Sequence, residues 1–206
     1  MSEYRGKRML DLALVIIAAP VWLPLFGAVA LLVRLKIGSP ILFSQERPGL
    51  HERPFRLTKF RTMTEARDAG GHLLPDEARL TDFGRKLRAT SLDELPELWS
   101  VLRGDMSLVG PRPLLPRYLP RYSEVHRRRH GVRPGITGLA QVSGRNALTW
   151  NDKLDLDVAY VERCSLGLDV WILGRTLRSV IRQEGISAAG AATMPEFTGY
   201  DQRSEQ

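Results

Sequence analysis

The chain has 206 residues, 43% hydrophobic and 26% charged, which suits one or two globular domains and excludes wholesale disorder. Lys and Arg number 30 against 23 Asp and Glu, a net charge of +7 that favours an anionic partner such as nucleic acid, a membrane surface or a phosphorylated substrate. The single cysteine, Cys164, excludes an internal disulfide framework and a cysteine-built metal site, and four histidines leave little for a histidine-based one.

From Leu12 to Val33 the chain carries no charge. A straight helix of that length reaches about 33 Å at about 1.5 Å per residue, enough to cross a bilayer core. Pro20 and Pro24 interrupt it, and each removes a backbone donor and crowds the preceding turn. Both flanks are basic, with Arg5, Lys7 and Arg8 before and Arg34 and Lys36 after. A span asks for a charge difference between its ends. A re-entrant hairpin, which enters and leaves by one face, satisfies both flanks and is favoured over a kinked span. A signal peptide is disfavoured although Ala28-Val29-Ala30 offers a cleavage pattern, because the apolar run is too long and Arg34 follows at once.

Beyond Gly38-Ser39-Pro40 the character changes. Ile41–Phe43 and Phe55–Leu57 read as short strands around a polar turn, and residues 64–73 as a polar, mobile loop. Pro75–Arg88 has Ala78, Leu80, Phe83 and Leu87 at near-helical spacing, weakened by Gly84. Ser91–Arg103 reads as a stronger helix, with Leu92, Leu95, Leu98, Trp99 and Leu102 on one stripe. It has an S-x-x-E capping box at Ser91-Leu92-Asp93-Glu94 and Gly104 as C-terminal cap. Four prolines between 104 and 120 exclude a long helix there. The run from His126 to His130 reads as a solvated or lipid-phosphate-facing basic helix, since no Glu follows the first His as a zincin pattern needs. Ala140-Gln141-Val142 suggests a strand, and Trp150–Arg163 and Leu168–Gln183 suggest helices. The second of these has an apolar face of Val170, Leu173, Leu177, Val180 and Ile181. The tail after Gly185 is small and polar and reads as poorly ordered. The expected fold is α+β and mostly helical: a membrane segment over 1–38, a compact domain over 39–185 and a tail over 186–206.

Asp93-Glu94 is the best candidate for chemistry. Acids in a first helical turn usually serve the cap and the macrodipole. The same position attracts phosphate, and adjacent carboxylates can hold Mg²⁺ or supply a nucleophile toward phosphorus. Arg47, Arg112, Arg133 and Arg145 each sit beside Pro or Gly in stiff loops. Rigid loops lower the cost of aiming a guanidinium fork at phosphate, and Lys59 and Arg88 add to that supply. No P-loop, Rossmann or hydrolase-elbow motif is present.

These residues fall in segments whose order and spacing are specific. They are Lys7-Arg8-Met9-Leu10-Asp11, Phe43-Ser44-Gln45-Glu46-Arg47-Pro48-Gly49, Lys59-Phe60-Arg61-Thr62-Met63, Ser91 to Leu98, Gly104 to Pro113, Arg133 to Gly138, Gly144-Arg145-Asn146 and Phe197-Thr198-Gly199. Together they resemble the small monotopic phosphoglycosyl transferases, the bacterial sugar transferases, and within them the bacillosamine-type enzymes that act on undecaprenyl phosphate. The resemblance implies transfer of a phosphosugar from a UDP-sugar to a polyprenol phosphate, with UMP released. It implies Asp93 as nucleophile forming a covalent phosphosugar intermediate, and Glu94 beside it binding Mg²⁺ with Asp93. It also implies Arg112 and Arg145 at substrate phosphate, with Lys59 and Arg88 in support. The family's re-entrant helix breaks at Ser-Pro, where this chain has Leu23-Pro24. The resemblance further implies the bacterial inner membrane with the domain on the cytoplasmic side, membrane lipid as a partner, no nucleic acid, and leaves a homo-oligomer open. The competing reading is a non-catalytic basic membrane module that binds anionic lipid or nucleic acid.

Overall fold

The computed structural model describes residues 3–144, 148–182 and 196–199. Its elements are mostly helical with two small sheets, the α+β class expected. Helices α1 (Lys7–Ile17) and α2 (Ala19–Lys36) divide the apolar run at Ala18. The break expected at Leu23-Pro24 therefore lies earlier: Pro20 falls in the first turn of α2, where a missing N–H leaves no bond unmade, and Pro24 does not interrupt the helix but is carried inside it. The Trp22 indole donates to the Val15 carbonyl at 3.0 Å beside the break, so a side chain satisfies backbone that the interruption freed.

Both ends of this helix pair are docked on the rest of the chain. At the start of α1, Lys7 pairs with Asp169, and Arg8 donates to the Val101 and Leu102 carbonyls. At the end of α2, Val29 and Val33 pack against Phe60 and Leu87. Midway, Trp22 joins Leu57, Val101 and Met106 in a second cluster and meets Trp99 edge-on. The opposite faces leave Met9, Ile16, Ile17, Val21, Leu31 and Leu35 exposed. Helix α2 is long and apolar enough to cross a membrane by length and composition.

Strands β1 (Leu42–Pro48) and β2 (Pro54–Phe60) form an antiparallel hairpin running from Leu42↔Phe60 to Pro48↔Pro54. The ladder is longer than the apolar runs suggested, because the polar residues between them pair as well: Ser44 and Thr58 share a hydroxyl hydrogen bond at 3.1 Å. The segment after β2 is closed by the bridges Met63↔Leu80 and Arg67↔Leu73. The single helix expected over Pro75–Arg88 is two, α3 (Asp76–Arg79) and α4 (Asp82–Ala89). Leu80 leaves helical geometry to bridge Met63, and the Thr81 hydroxyl then caps α4 by accepting from the Gly84 N–H at 2.9 Å. Gly84 is required by packing: a Cβ there would meet the Thr62 carbonyl oxygen at 1.9 Å.

The helix expected from Ser91 also starts later. Residues Leu92–Glu94 form a 3₁₀ turn, and α5 spans Glu97–Arg103 with Pro96 ahead of it. The Ser91 capping box does not form: Ser91 has φ 56° and its side chain makes no cap. Gly104 does end α5, at φ 93°.

Strand β3 (Ser107–Val109) pairs in parallel with β4 (Gly135–Thr137). Between them lie a 3₁₀ turn, Pro116–Arg121, and α6 (Glu124–Arg127). The basic run is not a surface helix along its length. Arg129 and His130 are buried, and Arg129 makes a paired hydrogen bond to Asp157 at 2.6 and 3.0 Å. The residues read as a strand at 140–142 form helix α7 (Leu139–Ser143) instead. Helices α8 (Trp150–Arg163) and α9 (Leu166–Arg182) follow, the first capped by a reciprocal Thr149–Asp152 box. The core contact of α9 comes from Ile172, with Leu168 and Leu173 packed beside it, while Val170 and Leu177 of the expected apolar face are exposed. Most of the tail lies outside the described residues. Within it, Phe197 is buried against Tyr118, Tyr122 and Trp150, contrary to a wholly unordered reading. Its aromatic side chain supplies the area that the small residues around it lack.

Candidate active site

Asp93 and Glu94 lie in the 3₁₀ turn before α5. The turn is closed by Glu94 N–H donating to the Ser91 carbonyl at 3.1 Å and Leu95 N–H to the Leu92 carbonyl at 3.3 Å. Leu92 and Leu95 anchor it by packing against the cluster formed by Val29, Val33, Phe60 and Leu87. The apolar N-terminal helix therefore shares a hydrophobic cluster with the turn that carries the acid pair. Ser91, in the left-handed region, sets the direction of the turn at a cost of about 1–3 kcal/mol.

Strand β2 brings Lys59, and the loop after β3 brings Arg112. Both cations converge on one oxygen, Glu94 Oε1, each at 2.6 Å. Lys59 Nζ also lies 3.0 Å from Glu97 Oε1, on the first turn of α5. Arg88 donates from Nε to the Thr62 hydroxyl at 3.0 Å, held there by the close contact of Gly84 with Thr62, and adds positive charge near Asp93. Arg112 is placed by backbone that passes very close. A Cβ on Gly110 would meet the Arg133 carbonyl oxygen at 2.4 Å, and one on Gly135 would meet the Gly110 nitrogen at 2.0 Å. Only glycine lets β3 and β4 approach so closely and send the next residues toward the acid turn.

The three carboxylates are not equivalent. Arg112 and Lys59, by charge and hydrogen bonding, outweigh burial at Glu94 and hold it well below the usual carboxylate range. Burial, reinforced by Glu94, raises Asp93 to about 6. Burial likewise raises Glu97 to about 7, against the pull of Lys59. Asp93 is buried yet receives no hydrogen bond or ion pair among the described residues. Glu94 Oε2 likewise accepts no hydrogen bond among the described residues. Arg112 is held more firmly protonated by Glu94.

Asp93, Glu94, Lys59, Arg88 and Arg112 are thus brought together, as the sequence suggested. Arg145 lies outside the described residues. Arg133, though in the same kind of stiff loop as Arg112, is committed elsewhere: its guanidinium binds Glu3 and the Gly104 carbonyl. Glu97 carried no assigned role, although its spacing from Asp93 and Glu94 places it within one helical turn of both. Among the described residues no group of three or more His, Cys, Asp or Glu is arranged to hold a metal ion. Magnesium needs less from a protein, one or two carboxylates with substrate phosphates completing the shell. Asp93 and Glu94 Oε2, free of protein donors, fit that demand.

The site thus sets a buried carboxylate that accepts no hydrogen bond among the described residues beside one clamped by two cations. The family described as bacterial sugar transferase matches residues 2–183. The chain belongs to the bacterial sugar transferase family. It is an enzyme of the glycosyl-1-phosphate transferase type. It is 59% identical over 167 residues to an uncharacterized sugar transferase, EpsL, of Bacillus subtilis (81% of this chain, 83% of that one). It is 40% identical over 190 residues to a UDP-glucose:undecaprenyl-phosphate glucose-1-phosphate transferase of Caulobacter vibrioides (85% and 69%). A third relative, a UDP-N-acetylgalactosamine-undecaprenyl-phosphate N-acetylgalactosaminephosphotransferase of Aeromonas hydrophila, is 37% identical over 183 residues (85% and 43%). The sugar transferase described here therefore spans under half of that relative's length. The second and third of these relatives carry glucose and N-acetylgalactosamine in their names, and none carries bacillosamine.

Proposed function

We propose that this sugar transferase moves a phosphosugar from a UDP-sugar to a polyprenol phosphate of the undecaprenyl type. The observation that carries the proposal is the unpartnered Asp93 carboxylate beside a Glu94 already neutralised by Lys59 and Arg112. An Asp93 oxygen attacks the sugar-linked phosphorus. The bond to the bridging oxygen breaks, UMP leaves with the electron pair, and a phosphosugar remains on Asp93. The polyprenol phosphate oxygen then attacks the same phosphorus and releases Asp93. Arg112 and Arg88 stabilise charge on the transferring group, and Arg145 serves the same end. Lys59 and Arg112 keep Glu94 ionised and also favour the ionised form of Asp93, against burial and the Glu94 charge. Magnesium, held by Asp93 and Glu94, neutralises the diphosphate when bound.

Several observations support a membrane setting. Both ends of the α1–α2 pair dock on the same globular domain while its outer faces expose apolar side chains. That arrangement favours a re-entrant segment with entry and exit on one side, and with basic flanks it favours the cytoplasmic face of a bacterial inner membrane.

The test is UMP release by the purified chain in detergent with Mg²⁺, undecaprenyl phosphate and UDP-glucose, UDP-galactose or UDP-N-acetylgalactosamine in turn. Release that depends on one donor, on the lipid phosphate and on Asp93 is expected. Donor radiolabelled in its sugar should leave label on the protein, and Asp93→Asn should abolish both label and release. Turnover without label would replace the covalent route by a direct displacement. Unchanged lipid binding with no turnover from any donor would favour the basic membrane module instead.

A further inference from the structure

Arg47 stands at the end of β1 on the same face of the hairpin as Lys59: Arg47 pairs with Phe55 and Phe43 with Lys59, and alternate residues along a strand share a face. Its surroundings are unusual for a half-buried cation. Its NH2 donates to the neutral amide oxygen of Gln45 at 2.7 Å. Its Nε is buried and has no hydrogen-bond partner. No carboxylate forms an ion pair with it among the described residues. The charge that acts on it most strongly is another cation, Arg112, with Glu97, Tyr118 and Tyr122 acting in the opposite sense.

Arg112 has its acid, since Glu94 takes it at 2.6 Å. Arg47 does not. Withdrawing a guanidinium from water beside a like charge is unfavourable unless an anion completes the arrangement. Burial and Arg112 accordingly lower Arg47 to about 10. Of the cations around the acid turn, Lys59 and Arg112 are committed to carboxylates and Arg88 to the Thr62 hydroxyl. Arg47 and Arg88 have no carboxylate partner among the described residues, and of the two it is Arg47 that also keeps a buried N–H without an acceptor.

We propose that Arg47 is a substrate-binding residue, a fork for a phosphate oxygen of the diphosphate donor or of the lipid phosphate acceptor. The inference rests on the transfer reading above for the identity of those substrates, but the anion site itself follows from the geometry. Arg47 grips a non-reacting phosphate oxygen alongside Arg112, and the hairpin that carries it also carries Lys59. One rigid element therefore delivers both a substrate contact and the lysine that holds Glu94.

The experiment compares the wild-type chain with Arg47→Gln and Arg47→Lys in detergent. Unfolding midpoints establish that each variant is folded. Pyrophosphate with Mg²⁺ is the binding probe, and KM is measured separately for the UDP-sugar and for undecaprenyl phosphate. Loss of a charge-assisted fork is expected to raise one KM by about tenfold to a hundredfold with a smaller change in kcat. Arg47→Lys should recover only part of it, because an ammonium lacks the fork. A rise in donor KM with weakened pyrophosphate binding assigns the fork to the donor. A rise in acceptor KM alone assigns it to the lipid phosphate. Folded Arg47→Gln with both KM values and pyrophosphate binding unchanged would overturn the proposal and leave the transfer reading standing. Wild type that binds pyrophosphate through Arg47 but turns over no donor would uphold the anion site and sink the transfer reading.

Discussion

The molecule holds two buried charged clusters, one around Asp169 and one around Asp93 and Glu94, and they are finished differently. Around Asp169 every group has its partner. Lys7 Nζ and the Tyr4 hydroxyl both reach Oδ2, at 2.6 and 3.0 Å, and the Tyr160 hydroxyl reaches Oδ1 at 2.7 Å. Nearby, Asp11 accepts from the Leu108 N–H at 3.1 Å. That cluster fastens α1 to α8, α9 and β3, and nothing in it is left to react. Around Asp93 the arithmetic does not close. Glu94 takes two cations at one oxygen, Asp93 takes none, and Arg47 has no acid. Buried polar groups in native proteins are usually satisfied. A cluster left open is therefore the one built for something that arrives.

The sharpest way to break that comparison is a pair of substitutions. Asp93→Asn should lower turnover by about a thousandfold or more while the chain stays folded. Asp93 is raised to about 6 in the fold, so the native state holds more protons than the unfolded one between about pH 4 and 6. Stability from this group is therefore present at low pH and lost as pH rises through that window. Asp93→Asn should accordingly raise the unfolding midpoint by a few degrees at pH 7 and not at pH 4. Asp169→Ala should do the reverse. It strands Lys7 in the interior and should cost about 3–5 kcal/mol in denaturant unfolding, with near-normal turnover per folded molecule. Equal stability losses from the two variants would erase the distinction.

Glu94→Gln is expected to act through charge. It removes the acid that helps raise Asp93 and frees Lys59 and Arg112 to act on Asp93 instead. The acid limb of kcat/KM, expected near pH 6 in the wild type, should move lower, and turnover should fall by about tenfold to a hundredfold. A limb that stays in place would mean another group controls it. The smallest effect belongs to Trp22→Phe. It removes the indole bond to the Val15 carbonyl while keeping an aromatic ring against Trp99. A loss of about 1 kcal/mol is expected, read by thermal unfolding in detergent.

Much of the site was legible because its chemistry is local. Adjacent acids, proline-framed arginines and a helix-ending glycine announce themselves within a few residues. What local pattern could not supply was commitment. Arg112 and Arg133 look alike in sequence, each next to proline. One clamps Glu94 and the other binds Glu3. The Ser91 capping box matched its motif, yet Ser91 turns the other way because Pro96 delays the helix and Leu92 and Leu95 are drawn into the cluster of Val29, Val33, Phe60 and Leu87. The basic run failed as a surface helix because Asp157, far along the chain, waited for Arg129.

By itself the sequence determined the apolar N-terminal run, the hairpin's place, the two long C-terminal helices, the stop at Gly104 and the identity of the acid pair. Periodicity, turn chemistry and side-chain type are properties of short stretches, so they need no partner to be read. Tertiary structure decided where the N-terminal run bends, which arginine reaches Glu94, that Glu97 shares Lys59, and that Arg47 is left without an acid. Those outcomes depend on contacts between residues distant in the chain. They are set by which buried charges can be matched once the hydrophobic surfaces have closed.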